Sequence, residues 1–265
     1  MDTLFTALIL SFIEGLTEFL PVSSTGHLIL AGNLLNFSGD KAATFNIVIQ
    51  LGAILAVVVL YWPRFWGLLR RQEGVAFSGL RGIFLLVLTS LPAGLTGLFA
   101  ASFIKNTLFA PVPVLLALVV GALCILIIES KRLTIRYNTI DDITPGLALG
   151  IGLFQTLAVL WPGFSRSAAT ILGGMCLGAS RRLACEYSFI AAVPIMFAAT
   201  GYEMISNWSL FSSDDLLFFA VGMIGSFVFA LLAVKLFIHL LQRITLRPFA
   251  IYRLLLAPLV YYFLQ

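Results

Sequence analysis

Apolar runs alternate with short polar stretches along the whole chain. Uncharged segments at 42–63, 82–104, 106–128 and 143–165 are each long enough to cross about 30 Å of hydrocarbon as a helix. The pattern predicts six full transmembrane helices, at about 43–62, 82–101, 112–129, 184–204, 216–241 and 249–264. Two further apolar regions are interrupted. Residues 3–36 are broken by Pro21-Val22-Ser23-Ser24-Thr25-Gly26, and residues 144–178 by Pro162-Gly163-Phe164-Ser165-Arg166-Ser167. Proline removes a helical donor, and glycine and hydroxyl side chains favour turns. Each region is therefore predicted to enter the membrane and return as a re-entrant helical hairpin, since irregular backbone is tolerated there only where protein or a wet cavity satisfies it.

Each half then has the plan of one hairpin and three spans, with repeats at about 1–140 and 141–265 within a single integral membrane domain. A displacement of 141 positions lays Pro21 and Ser24 on Pro162 and Ser165, Glu14 on Gln155 and Leu16 on Leu157. An odd number of spans per half inverts the second copy, so the fold class is an all-α polytopic membrane protein built as an inverted repeat. In this architecture sites lie at the repeat interface. The copies differ in their ionisable groups: Val159 stands opposite Glu18, Ala168 opposite His27 and Thr25 opposite Arg166. One hairpin holds acid and imidazole and the other guanidinium, which calls for a single composite site between the tips.

Composition excludes a water-soluble domain: 60% of residues are hydrophobic and 11% charged, against roughly 25% charged in soluble domains. The net charge of +4 comes from basic residues scattered in loops, so nucleic acid is not an expected partner. Counted by side, eleven loop Lys and Arg (64, 70, 71, 81, 131, 132, 136, 181, 182, 243, 247) face Lys41 and Lys105 alone. The positive-inside rule makes the rich side cytoplasmic. Both termini and the Asp214-Asp215 loop then lie outside, in a multi-pass membrane protein. Cys124, Cys176 and Cys185 lack metal-ligand spacing, and no cleaved signal peptide is expected before Glu14. Lys235 and His239 sit near a span end, where they snorkel to the interface.

Charges inside a membrane are costly, so Glu14, Glu18, His27 and Arg166 are the candidate functional groups. Glu14 and Glu18 are four residues apart and share a helix face. A divalent cation, Mg²⁺ or Ca²⁺, would relieve their repulsion, taking the carboxylates with water and phosphate oxygens; a protonated, hydrogen-bonded glutamate is the alternative. Ser23, Ser24 and Thr25 lie with His27 in one turn after a proline break, where free backbone N–H groups bind anions. His27 is a candidate general acid or base. Arg166, flanked by Ser165 and Ser167, offers a bidentate fork for phosphate, the alternative being a structural pair with Glu14 or Glu18.

The stretch Glu14-Gly-Leu-Thr-Glu18-Phe-Leu-Pro-Val-Ser-Ser-Thr-Gly-His27, with Pro162-Gly-Phe-Ser-Arg166-Ser-Ala-Ala-Thr170, closely resembles the two signature motifs of the bacitracin resistance protein family, the bacterial undecaprenyl-diphosphate phosphatases. The likeness also covers 45–59, 187–194 and 248–253. It implies removal of the terminal phosphate from undecaprenyl diphosphate, recycling the carrier lipid for cell-wall synthesis. By position it assigns Glu14 and Glu18 to metal binding, Ser24 and His27 to chemistry, and Arg166 to phosphate. Ala168 departs from the family's usual glycine. The expected partners are a polyprenyl diphosphate and membrane lipids, with a homodimer left open and the site opening to the outer side. Attack by Ser24 with His27 as base is the preferred mechanism; attack by His27 or by water is open. A secondary transporter or flippase of a lipid phosphate is the competing reading. A purely structural scaffold leaves the polar cluster unexplained.

Overall fold

The computed structural model describes residues 4–108, 111–206, 208, 215–241 and 244–263. Asp214, Arg243 and the side chain of Lys105 lie outside the described residues. The described chain forms eleven α-helices: α1 (Leu4–Thr17), α2 (Ser24–Leu34), α3 (Asp40–Leu60), α4 (Trp62–Leu68), α5 (Gly79–Phe103), α6 (Pro111–Ser130), α7 (Pro145–Leu160), α8 (Arg166–Cys176), α9 (Arg181–Ser206), α10 (Leu216–Leu240) and α11 (Arg247–Phe263). Five of them, α3, α5, α6, α9 and α10, are long and apolar enough to cross a membrane. The sixth expected span corresponds to α11, which has 17 residues and carries a buried arginine, Arg253.

Lipid-facing stripes are visible in the exposed apolar side chains. On α10, Ile224, Val228, Leu232 and Leu236 recur every fourth residue, and on α5 Phe84, Val87, Leu91, Leu95 and Leu98 do the same at mixed spacings of three and four. Side chains so spaced lie on one helical face. The opposite faces pack inward, and small residues set how closely they approach. Gly15 of α1 meets Ser226 and Phe229 of α10, and Gly152 of α7 meets the backbone of Leu88 and Thr89 in α5; a Cβ at either would collide with backbone. Close helix approach at small residues supplies the packing that the hydrophobic effect does not provide in lipid.

The helical contacts cross between the halves of the chain. Helix α1 packs on α10 and α7 on α5, α2 touches α11 and α8 touches α6, and α3 lies against α9 and α6 against α11. Two helical pairs, α1 with α2 and α7 with α8, form hairpins that bring their turns to the middle of this arrangement.

Both hairpin turns end the same way. Ser23 caps α2 and Ser165 caps α8, each hydroxyl accepting the backbone N–H three residues on. Both caps have positive φ, 71° and 80°, a region that a residue with a Cβ seldom adopts and that persists only where surrounding contacts hold it. The caps stand 142 positions apart, one more than the 141 that relates the first arms. The turn before α2 spans 18–23 and that before α8 spans 161–165. Beyond the turns, therefore, Arg166 stands opposite Ser24 and Ala169 opposite His27, a one-residue correction to the register expected above.

The polar loops are tied to one another. Arg64 pairs with Asp141 at 3.1 Å, and the other Asp141 oxygen accepts from the Phe77 N–H at 2.8 Å. Glu129 receives Arg181 through two bonds of 2.7 and 2.6 Å and the Leu246 N–H at 2.9 Å. Thus the loops around 64–77, 129–141, 181 and 246 gather at one end. Asp142 accepts backbone N–H bonds from Asn138 and Thr139, which hold its exposed carboxyl below the usual range. Lys41 and Asp215 form a separate pair at 2.7 Å.

Candidate active site

The last turn of α1 supplies the acids. The Glu18 N–H bonds the Glu14 carbonyl at 2.9 Å, continuing the helical turn one residue past Thr17. Both carboxylates consequently face the same way, and both are buried. Glu18 is fully engaged: Ser24, the first residue of α2, donates its hydroxyl to Oε2 at 2.5 Å, and Arg166, the first residue of α8, donates from Nη2 to Oε1 at 3.1 Å. This carboxylate is one of the points at which the two hairpins meet. Glu14 differs, since neither of its oxygens has a hydrogen-bond partner, although a buried carboxylate without partners is costly.

Arg166 is held by more than charge. Nη1 donates to the Ser188 carbonyl at 3.3 Å, Nη2 also lies 3.3 Å from Met196 Sδ, and the guanidinium sits 5.4 Å from the Phe19 ring centroid. Its Nε has no protein acceptor. Arg166 is paired with Glu18, and it also lines a cavity.

That cavity, of about 290 Å³, is bounded by Glu18, Ser23, Ser24, Thr25, Ser165 and Arg166 on its polar side. Gln50 of α3 and Gln155 of α7 add amides, and residues of α5, α7 and α9, among them Ala93, Val159 and Ile195, close it with apolar surface. Three expected site residues, Glu14, His27 and Ser167, do not line it. Ser167 is fully buried and donates to the Leu20 carbonyl at 2.8 Å, stitching one turn to the other. Ala168 is buried too, so the family glycine's place is filled by a methyl group without a gap.

His27 faces α11. Its Nδ1 lies 2.7 Å from the Ser23 carbonyl and its Nε2 lies 2.6 Å from the Tyr252 hydroxyl, the rings stacking at 5.5 Å between centroids. A carbonyl only accepts, so Nδ1 carries a proton, and the Tyr252 hydroxyl is the hydrogen-bond partner of Nε2. The imidazole thus holds the backbone of the α2 cap, and the group that accepts the Ser24 hydroxyl's hydrogen bond is Glu18.

Arg253 was missed by the reading of the sequence. It is completely buried, and its guanidinium donates to the carbonyls of Leu118 at 3.1 Å, Pro21 at 3.3 Å, Ala117 at 3.0 Å and Gly163 at 3.2 Å. Pro21 and Gly163 belong to the two hairpin turns, so one side chain satisfies the exposed backbone of both. The available signal was its position inside an apolar run, the same criterion that singled out Arg166. Gln50 and Tyr252 were missed as well, because uncharged polar side chains in a span attract no such rule.

The family model described as Bacitracin resistance protein BacA matches residues 7–259. A protein of Desulfovibrio desulfuricans is 67% identical over 264 residues, covering 100% of this chain and 99% of its own length. Relatives from Nitratidesulfovibrio vulgaris strain DP4, 66% identical with 100% and 99% covered, and Lawsonia intracellularis, 55% identical with 98% of each covered, are similar throughout. All three carry the name undecaprenyl-diphosphatase.

Proposed function

The chain belongs to the bacitracin resistance protein BacA family, and from that membership and the geometry of the site we propose that it hydrolyses undecaprenyl diphosphate to undecaprenyl phosphate and inorganic phosphate through Ser24, Glu18 and Arg166. It is a multi-pass membrane enzyme that returns the carrier lipid to cell-wall synthesis and, as the family name implies, confers resistance to bacitracin. The observation that carries the mechanism is the Ser24–Glu18–Arg166 chain of hydrogen bonds across the two hairpins.

Ser24 Oγ attacks the terminal phosphorus while its proton passes to Glu18 Oε2, which already accepts it. The bond from phosphorus to the bridging oxygen breaks, and undecaprenyl phosphate leaves. Water then cleaves the phosphoserine, and Glu18 returns the proton to Ser24. Arg166 neutralises phosphoryl oxygens as charge develops, which supplies most of what such a reaction asks of a protein. The strained caps at Ser23 and Ser165 place two helix starts around the same anion.

The residues fit a divalent cation. Glu14 presents two buried oxygens that nothing in the protein satisfies, and Glu18 lies one turn away. Glu14 and Glu18 would hold Mg²⁺ or Ca²⁺ together with water and substrate oxygens, and the ion would neutralise charge on the diphosphate.

Phosphate release from undecaprenyl diphosphate by the purified chain in detergent tests the reading. Release that depends on Ser24 is expected. A chain that releases none, yet exchanges lipid phosphate between leaflets of a vesicle, is a transporter. We further propose that the site opens to the outer face of the bacterial inner membrane. Cysteine in place of Asp215 is then expected to react with an impermeant thiol reagent on intact spheroplasts, and cysteine at Arg70 only after permeabilisation; the reverse pattern inverts the orientation.

A further inference from the structure

One cavity-lining group has no part in the chemistry above. Gln50 is the only polar side chain between Ile47 and Leu60, in a helix whose neighbours are packed against α9 and α10. Gln50 is half-buried, open on one side, and within the protein only one end of its amide has a partner. Gln50 Oε1 accepts from the Thr200 hydroxyl on α9 at 3.4 Å, which fixes the orientation of the amide, while no protein acceptor takes the two Nε2 protons among the described residues. The side chain borders the cavity that holds Ser24, Glu18 and Arg166.

Its position along α9 says what it can reach. Met196 touches Arg166 Nη2, and Thr200 lies one turn further on the same face of α9, about 6 Å along the axis. The amide therefore shares one cavity with Ser24 and Arg166, whose wall also carries the apolar Ile195, Ala199 and Ala93. A diphosphate lipid attacked there brings a second phosphate and then its tail into the same space.

Resting on the proposed phosphatase reading, we infer that Gln50 is a substrate-binding residue that donates from Nε2 to the phosphate retaining the prenyl chain, with Thr200 as its positioning residue. A neutral donor suits this place. It binds a non-bridging oxygen of the leaving phosphate, apart from the bridging oxygen on which charge develops, and adds no charge to compete with Arg166 for the transferred phosphoryl group. Such a contact is made already in the ground state, so it belongs mainly in affinity.

Substitution with glutamate separates binding from packing. Gln50→Glu keeps the shape and an oxygen for Thr200 but presents negative charge to the phosphate. The measurements are the Kd for undecaprenyl diphosphate in a Ser24→Ala background, KM and kcat in the otherwise unsubstituted chain, and the melting temperature of each variant. Gln50→Ala is expected to weaken binding and raise KM by about 10- to 100-fold, the range for a hydrogen bond to a charged group, with kcat within about threefold. Gln50→Glu is expected to be weaker still, and Thr200→Val to fall between wild type and Gln50→Ala. Binding by Gln50→Glu equal to wild type overturns the assignment, as does a Gln50→Ala loss confined to kcat and melting temperature. Should the glutamate variant fail to fold, Gln50→Leu takes its place with the same expectation as alanine. Absence of phosphate release from the unsubstituted chain sinks the phosphatase reading alone, because the binding measurement still decides Gln50.

Discussion

Replacing Arg166 with alanine is expected to lower turnover about 10²- to 10³-fold, by analogy with loss of an oxyanion donor, and replacing it with lysine is expected to recover little. The guanidinium reaches Glu18, the Ser188 carbonyl and Met196 together and lies over Phe19. An ammonium group keeps the charge and one bond, but it has no planar fork with which to hold two phosphoryl oxygens and the carboxylate at once. If Arg166 only balanced Glu18, lysine would do so nearly as well. Phosphate release with the lysine variant distinguishes the roles, provided that the variant extracts and elutes as a folded species. A folded lysine variant with nearly full activity removes Arg166 from phosphate binding.

Glu18→Gln is the second large effect. It preserves the outline of the side chain and leaves Ser24 a carbonyl oxygen to donate to, but the amide accepts the serine proton poorly. Loss of a positioned general base costs about 10²- to 10⁴-fold, and the loss is expected in kcat. The same change removes the partner of buried Arg166, which destabilises the protein by about 3 to 5 kcal/mol where an ion pair is broken on one side. Glu18→Asp, which keeps the charge and shortens the reach, separates the two contributions: a stable but slow aspartate variant locates the loss in the Ser24 contact. The metal requirement is expected to rise in Glu18→Gln, and unchanged metal dependence removes Glu18 from cation binding. Glu14→Gln is expected to be milder, because Gln155 already occupies the matching place in α7, buried and with Nε2 bonded to the Thr89 carbonyl.

The hairpins were legible because proline, glycine and hydroxyls in an otherwise apolar run have few other uses, and the acids and Arg166 were legible because charge in lipid is expensive. What the pattern did not carry was direction. Whether His27 turns to Ser24 or to Tyr252 depends on α11, which is more than 200 residues distant along the chain. For that reason His27 bonds Tyr252 while Glu18 is the hydrogen-bond acceptor beside Ser24. The register of the repeat slipped by one because sparse identities were aligned across turns of unequal length, and only the capping geometry at Ser23 and Ser165 shows where each second arm begins. Arg253 was passed over because counting basic residues by loop leaves aside one that belongs to no loop.

The attachment of Arg253 has a consequence in time. Synthesis proceeds from the N-terminus, and helices that emerge early wait for those that emerge late. Glu18, Ser24 and Arg166 are all in the bilayer well before α11 is made, yet the carbonyls of Pro21 and Gly163 gain their shared donor only when residue 253 arrives. Until α11 is made and docks, a nascent chain holds Glu18, Ser24 and Arg166 but lacks the donor that Pro21 and Gly163 share, so order in the two turns is expected to be completed late.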